Sequence, residues 1–250
     1  LGNTDLSDVN MYNTKLKNTI LDNSNFHNTM VNEGNYLKIQ ELGVDKINLD
    51  LVNLQPKIIS DDSKKLYKKS SNPNSIFTDL FIPGLNLDEA NFQGSNISNS
   101  TFPNSKFSET DFSNSDLTNL DLSFSDLLGA NFTNAKLTNV DFTGSNLSGV
   151  IFTGAYIENV DFSNSTIYGT KFVGASLEKS VFDNSQINSA LFLGSKINDS
   201  SFNDVFIENT DFSGSRISNV DLSNQNFSNN LFKNTMLNSA NLSNSDFSNS

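Results

Sequence analysis

Carboxylates are the most regular reactive groups in this chain. Asp111, Asp116, Asp121 and Asp126 fall five residues apart, and Asp121, Asp141 and Asp161 fall twenty apart. Several carboxylate oxygens brought to one point would hold a hard cation, and a pair flanking a scissile bond would act as general acid and base. Other chemistry is scarce. The one histidine, His27, has no nucleophile motif beside it, and there is no cysteine, which excludes disulfides, thiolate metal sites and thiol catalysis. Gly94, Gly154, Gly174, Gly194 and Gly214 recur at one slot but do not form a phosphate loop; they read as turn residues that use positive φ. The Asn-x-Ser/Thr triplets, such as Asn96-Ile97-Ser98, are weak evidence for glycosylation, because an Asn-Leu-Ser repeat produces them automatically.

What positions the carboxylates is a period of five. From Leu87 through Phe92, Ile97, Phe102 and Phe107 to Leu242 and Phe247, every fifth residue is large and apolar. A step of five turns about 140° on a helix and alternates faces on a flat strand, so neither element keeps these side chains together. The chain must turn a corner every five residues. Two positions before the central residue stands nearly always a small or β-branched one, such as Ala90, Ser95, Ser100, Ala130, Val140 or Ala155, which supplies a second inward side chain per side.

A period of twenty lies over the first. Phe92, Phe112, Phe132, Phe152, Phe172, Phe192, Phe212 and Phe232 form an unbroken column, while Ile97, Leu117, Leu137, Ile157, Leu177, Ile197, Ile217 and Leu237 form an aliphatic one. Four five-residue sides per coil give this recurrence, and about eight coils in strand-like contact make a rod roughly 40 Å long. On such a coil the four aspartates from Asp111 to Asp126 sit on four different sides and do not converge on one ion. Each sits just before a central residue, where a short polar side chain bonds nearby turn amides. No catalytic, cofactor-binding or metal-binding residue is expected, and a convex rod offers no obvious concave pocket.

Units such as Ala90-Asn91-Phe92-Gln93-Gly94, Ala130-Asn131-Phe132-Thr133-Asn134 and Ala240-Asn241-Leu242-Ser243-Asn244 resemble the A(D/N)LXX motif of the pentapeptide-repeat family. The resemblance covers residues 85–249 and, less regularly, much of the rest. It implies an all-β fold, a right-handed quadrilateral parallel β-helix with four pentapeptides per coil. It implies little about activity, since function sits on sites grafted onto a scaffold.

Three regions follow. Residues 1–56 read as N-terminal coils, with Leu6, Met11, Leu16, Leu21, Phe26, Val31 and Tyr36 central and a register slip near 36–39. Residues 37–55 fit one irregular coil or, alternatively, begin with a short helix. Residues 57–84 are an insertion and re-entry: Lys57, Lys64, Lys65, Tyr67, Lys68 and Lys69 fall between Pro56 and Pro73, where a short capped helix is expected. This segment is either a solvated loop or a projecting recognition loop. Residues 85–250 are the regular solenoid, with repeat spacing resuming at Phe77 and Ile82.

Outward positions that break the motif are candidate contacts. Ile151, Leu191 and Leu231 precede central residues on the all-Phe side, and Val173 and Leu193 follow them, which predicts an apolar strip. Tyr156, Tyr168, Phe206 and Met236 point outward on other sides.

The net charge is −12, and from Leu85 onward 18 acidic against 7 basic residues carry nearly all of it. An acidic rod repels nucleic acid and anionic membrane and attracts a basic protein surface. No apolar run reaches the roughly eighteen residues of a membrane span. A protein partner is therefore expected, with no direct nucleic acid and no cofactor, and with self-association possible through coil ends or the apolar strip. The compartment stays open between cytoplasm, which is favoured, and secretion or surface display. The leading function is a non-enzymatic scaffold or structural rod for protein-protein interaction. The alternative, implied by the resemblance, is a DNA mimic that binds a type II topoisomerase, as in the quinolone-resistance group. The repeat here runs on through Ser250 with no capping, dimerising helix like that group's. An ice-binding or adhesion rod is a third class, disfavoured by the irregular threonines.

Overall fold

The computed structural model of this 250-residue chain describes residues 73, 74, 76–78, 80 and 83–250. The coils expected over residues 1–56, the register slip at 36–39 and the lysine-rich loop from Lys57 to Lys69 lie outside the described residues. What is described is an all-strand parallel β-solenoid of about 8 turns, with no helix among these residues.

The corner expected every five residues has a definite chemistry. On the side centred on Phe92, the Ser95 N–H donates to the Phe92 carbonyl at 3.0 Å, and Gly94 between them has φ +68°. A positive φ at the third residue of a hydrogen-bonded turn is the type II pattern, which selects glycine or asparagine. Asn114 and Asn134 occupy the equivalent slot at φ 58° and 56°. The remaining backbone groups pair between coils. The Phe92 N–H donates forward to Asp111 at 2.7 Å, and the Asp111 N–H donates back to Ala90 at 2.8 Å. Parallel coils in register thus leave no strand edge inside the stack.

Four sides result. The Phe face is centred on Phe92, Phe112 and onward to Phe232 and is joined by single bridges such as Asn131 to Ile151. The long-sheet face carries nine strands: β1 (Ile76–Thr78), β2 (Asn96–Thr101), β3 (Asp116–Asp121), β4 (Lys136–Asp141), β5 (Tyr156–Glu158), β7 (Ser176–Glu178), β9 (Lys196–Asn198), β11 (Arg216–Ser218) and β12 (Met236–Asn238), paired in that order. Its register is the twenty-residue period itself, with Ile97 opposite Leu117 and Leu117 opposite Leu137. The Asp face is centred on Phe102, Leu122, Phe142, Phe162, Phe182, Phe202, Leu222 and Leu242. The short-sheet face begins with hydrogen-bonded turns at Leu87, Phe107, Leu127 and Leu147 and becomes extended at Ile167, Ile187 and Ile207 as β6 (Thr166–Tyr168), β8 (Gln186–Asn188) and β10 (Phe206–Glu208). The change coincides with the arrival of β-branched isoleucine at the centre, which favours extended backbone.

Inside, phenylalanines stack along the axis. Phe172 lies 4.6 Å from Phe192 with an interplanar angle of 7°, and Phe162 lies 4.7 Å from Phe182 at 12°. The two stacks, from the Phe and Asp faces, meet edge to face across the core, as between Phe162 and Phe172 at 5.9 Å and 90°. Each buried ring contributes about 1.5–3 kcal/mol and each aromatic pair about 0.5–1.5 kcal/mol more. The small inward residues stitch coils together: the Ser145 hydroxyl donates to the Leu122 carbonyl at 2.8 Å and accepts the Ser125 N–H at 3.1 Å. In the last coil Phe232, Leu237 and Phe247 are only partly buried and Leu242 is 38% exposed, since no described coil follows to cover them.

Candidate interaction faces

The aspartates serve the turns. Oδ1 of Asp111, Asp121, Asp141, Asp161 and Asp211 accepts the N–H two residues on at 2.7–3.0 Å, and Asn91 and Asn131 do the same. Asp121, Asp141 and Asp161 stand in register on successive coils, but among the described residues no three carboxylates or other ligating groups cluster to hold a metal ion. Asp221 and Asp246 are held below the ordinary aspartate pKa by hydrogen bonds from Ser223 and Ser248. Along the corner after the long-sheet face, Asn119, Asn139 and Asn159 each donate Nδ2 to the Oδ1 of the preceding asparagine, beginning at Asn99, at 2.7–2.8 Å. These polar ladders explain the Asp and Asn repetition without a ligand.

Charge is divided unequally among the sides. From Leu85 onward the Asp face holds six acids, Asp121, Asp141, Asp161, Asp183, Asp204 and Asp221, and no base. The adjoining short-sheet face holds six acids and one base, Lys106. The Phe and long-sheet faces together hold six of each sign, and there Lys136 pairs with Asp116 at 3.2 Å. Among the described residues, one half of the rod therefore carries the entire net charge and the other is balanced.

The sequence-predicted apolar strip lies on the balanced half. Its pre-central column runs Asn131, Ile151, Lys171, Leu191, Asp211, Leu231 in bridged succession, so a charged residue separates each apolar pair. Val173 and Leu193 neighbour one another in the post-central column, and both are half-buried. Leu231, 56% exposed, is the most open of the five. Tyr156 and Met236 are exposed on the long-sheet face; the Tyr156 hydroxyl donates to Glu158 Oε2 at 3.1 Å, which raises its pKa. Tyr168 and Phe206 are exposed on the short-sheet face.

Two exposed side chains escaped the sequence reading. Phe124 is 63% exposed and occupies a turn slot at φ 55°, where its column otherwise holds Asn, Asp or Gly from Gly84 through Asn244. Leu128 follows on the short-sheet face in a slot otherwise polar or aromatic. The signal was present in both columns, as a residue type foreign to its twenty-residue register.

No curated protein matches the chain in sequence. Among solved structures it is similar to HetL, a pentapeptide repeat protein involved in heterocyst differentiation regulation from the cyanobacterium Nostoc sp. strain PCC 7120. The identity is 16% and the TM-score 0.54, over 84% of this chain and 94% of that one. It is also similar to a trypsin-treated variant of QnrB1, a plasmid-mediated fluoroquinolone resistance protein, at 16% identity and TM-score 0.54 over 68% and 83% of the two chains. At such identity the likeness shows the fold alone. The pentapeptide-repeats model matches in 8 copies over residues 1–31, 86–123, 115–154, 152–184 and 215–250. These segments span more than half of the sequence, and the chain belongs to the pentapeptide-repeat family.

Proposed function

We propose that this protein is a non-catalytic rod whose acidic half, the Asp and short-sheet faces, binds a partner protein through a basic surface. The observation that carries the reading is the charge division among the described residues: twelve acids against one base on two adjoining sides, and balance on the other two. Like charges held at strand spacing are unfavourable to the free rod, and a basic partner relieves them while gaining electrostatically steered association. The apolar residues Ile151, Val173, Leu191, Leu193 and Leu231, interrupted by Lys171 and Asp211, are a second and weaker candidate contact on the balanced half, through self-association.

The test compares two charge-neutralised rods against a panel of basic proteins at physiological salt. Asp121→Asn/Asp141→Asn/Asp161→Asn keeps the turn-capping oxygens and is expected to weaken binding about tenfold or more. Glu158→Gln/Glu178→Gln, on the balanced half, is expected to leave it unchanged. Equal losses in the two variants would refute a one-sided acidic interface.

The same acidic half supports a narrower second reading, a DNA mimic that occupies the basic DNA-binding surface of a type II topoisomerase. Titration into a gyrase supercoiling reaction, with and without a fluoroquinolone, discriminates it. Inhibition or drug protection that is lost in the Asp-face variant and on deletion of residues 57–72, and absent with a polyacidic control, selects the mimic. No effect leaves the general scaffold.

A further inference from the structure

Phe124 does not fit the job of its slot. A turn residue with φ near 55° is served by Asn, Asp or Gly, and an aromatic there is held in a sparsely populated conformation. Burial does not account for it, because Phe124 is the most exposed of the large apolar side chains among the described residues. The ring lies against Gly144 of the next coil: a Cβ there would be 2.7 Å from Phe124 Cδ1 and Cε1, so a larger residue at 144 and the ring could not both keep these positions. Contact with Gly144 on one side of an otherwise exposed ring restricts its freedom, which lowers the ordering cost of using it in recognition. Leu128 lies four residues on, exposed, just after the centre of the adjoining side.

The surroundings set the chemistry of what would cover this pair. Asp121 and Asp126 flank Phe124 on its own coil, and Asp141 stands in register with Asp121 one coil along. The one base of this half among the described residues, Lys106, stands in register with Asp126. An exposed aromatic with carboxylates three residues before and two after it matches a guanidinium, which stacks on an aromatic and donates to carboxylates, better than it matches a compact, strongly hydrated ammonium.

We propose that Phe124 and Leu128, with Asp121, Asp126 and Asp141, form the anchor point for an arginine-bearing, apolar-spaced segment of the partner protein. This rests on the reading of the acidic half as the binding surface and adds its centre. Anchors of this kind are few and aromatic, and neighbouring contacts contribute less.

The test measures anisotropy of a short fluorescent peptide in which arginine alternates with leucine, and of its lysine counterpart, against the full chain. Expected is tighter binding of the arginine peptide, lost about tenfold or more in Phe124→Asn and retained in Phe124→Tyr. Asparagine is the residue native to the neighbouring turns, so Phe124→Asn is not expected to unfold the rod, and circular dichroism checks this. Wild-type-like binding by Phe124→Asn, with loss in Asp121→Asn/Asp141→Asn/Asp161→Asn, overturns the anchor and leaves the acidic interface standing. No binding by the wild type, or no loss in either variant, overturns both.

Discussion

The acidic and balanced halves of the rod differ outside and match inside. Phe172 centres a side on the balanced half and Phe182 the opposing side on the acidic half; both rings are fully buried, stacked on their coil neighbours and 6.0 Å from each other. The core is therefore indifferent to which half carries charge. Outward positions are free to diverge because a solenoid's stability comes from the inward columns and neighbouring coils, so the outside is where partner choice is written.

The largest test of this sameness is truncation of the two rings. Phe172→Ala and Phe182→Ala are each expected to cost about 3–5 kcal/mol in thermal or denaturant unfolding. Values that differ by more than about 2 kcal/mol would show that the halves do not share one interior.

Much of this interior was legible in the sequence, and the reasons are physical. Inward side chains must repeat at five and twenty because each meets its own kind on the next coil, so the columns and their register appear as periodicity. The Asp and Asn slot was legible for the same reason, since every turn needs the same capping oxygen. Outward residues face no such constraint. Phe124 takes on meaning only beside Gly144, one coil away, and the charge division disappears when the whole rod is summed, as does the interruption of the apolar strip by Lys171 and Asp211. Hydroxyl partners were not legible at all, because serines in the same kind of slot differ in what they reach.

That last difference gives the next prediction. Ser145, on the acidic half, is bonded to Leu122 and Ser125, whereas the buried Ser215 hydroxyl, on the balanced half, has no partner. Ser145→Ala leaves a buried carbonyl and N–H short of a partner and is expected to cost about 1–3 kcal/mol, while Ser215→Ala removes an unsatisfied group and is expected to be neutral or stabilising. Chemical denaturation of the two variants reads this directly. A loss at Ser215 as large as that at Ser145 would mean its hydroxyl is bonded after all.

Smaller effects separate the corners. Gly144, on the Asp face, and Gly174, on the Phe face, have φ of +68° and +65°, but a Cβ at Gly174 meets nothing within 4 Å. Both alanine variants are expected to carry a left-handed penalty of about 1 kcal/mol, and only Gly144→Ala adds a clash with the Phe124 ring. Adding Phe124→Gly to Gly144→Ala should recover that excess, since a preceding glycine leaves an added Cβ 3.9 Å of space at Gly149, and adding it to Gly174→Ala should not. A double-mutant cycle with no coupling between positions 124 and 144 would detach the ring from its seat.

The smallest effect is the response to acid, and it belongs to the acidic half. Asp221 and Asp246 have folded pKa values below the ordinary 3.8, because hydrogen bonds from Ser223 and Ser248 favour the carboxylate. A depressed folded pKa adds stability that is fully present above the unfolded value and is lost as pH falls from there through the folded value. Both groups lie at the surface, so the loss is small and screened by salt. Asparagine supplies a capping oxygen that does not titrate, as Asn241 and Asn226 show by accepting the same turn N–H bonds. The variant Asp221→Asn/Asp246→Asn should therefore show a shallower fall of melting temperature below pH 4 than the wild type, with little change at neutral pH. An identical acid limb in both proteins would assign acid sensitivity to carboxylates elsewhere in the chain.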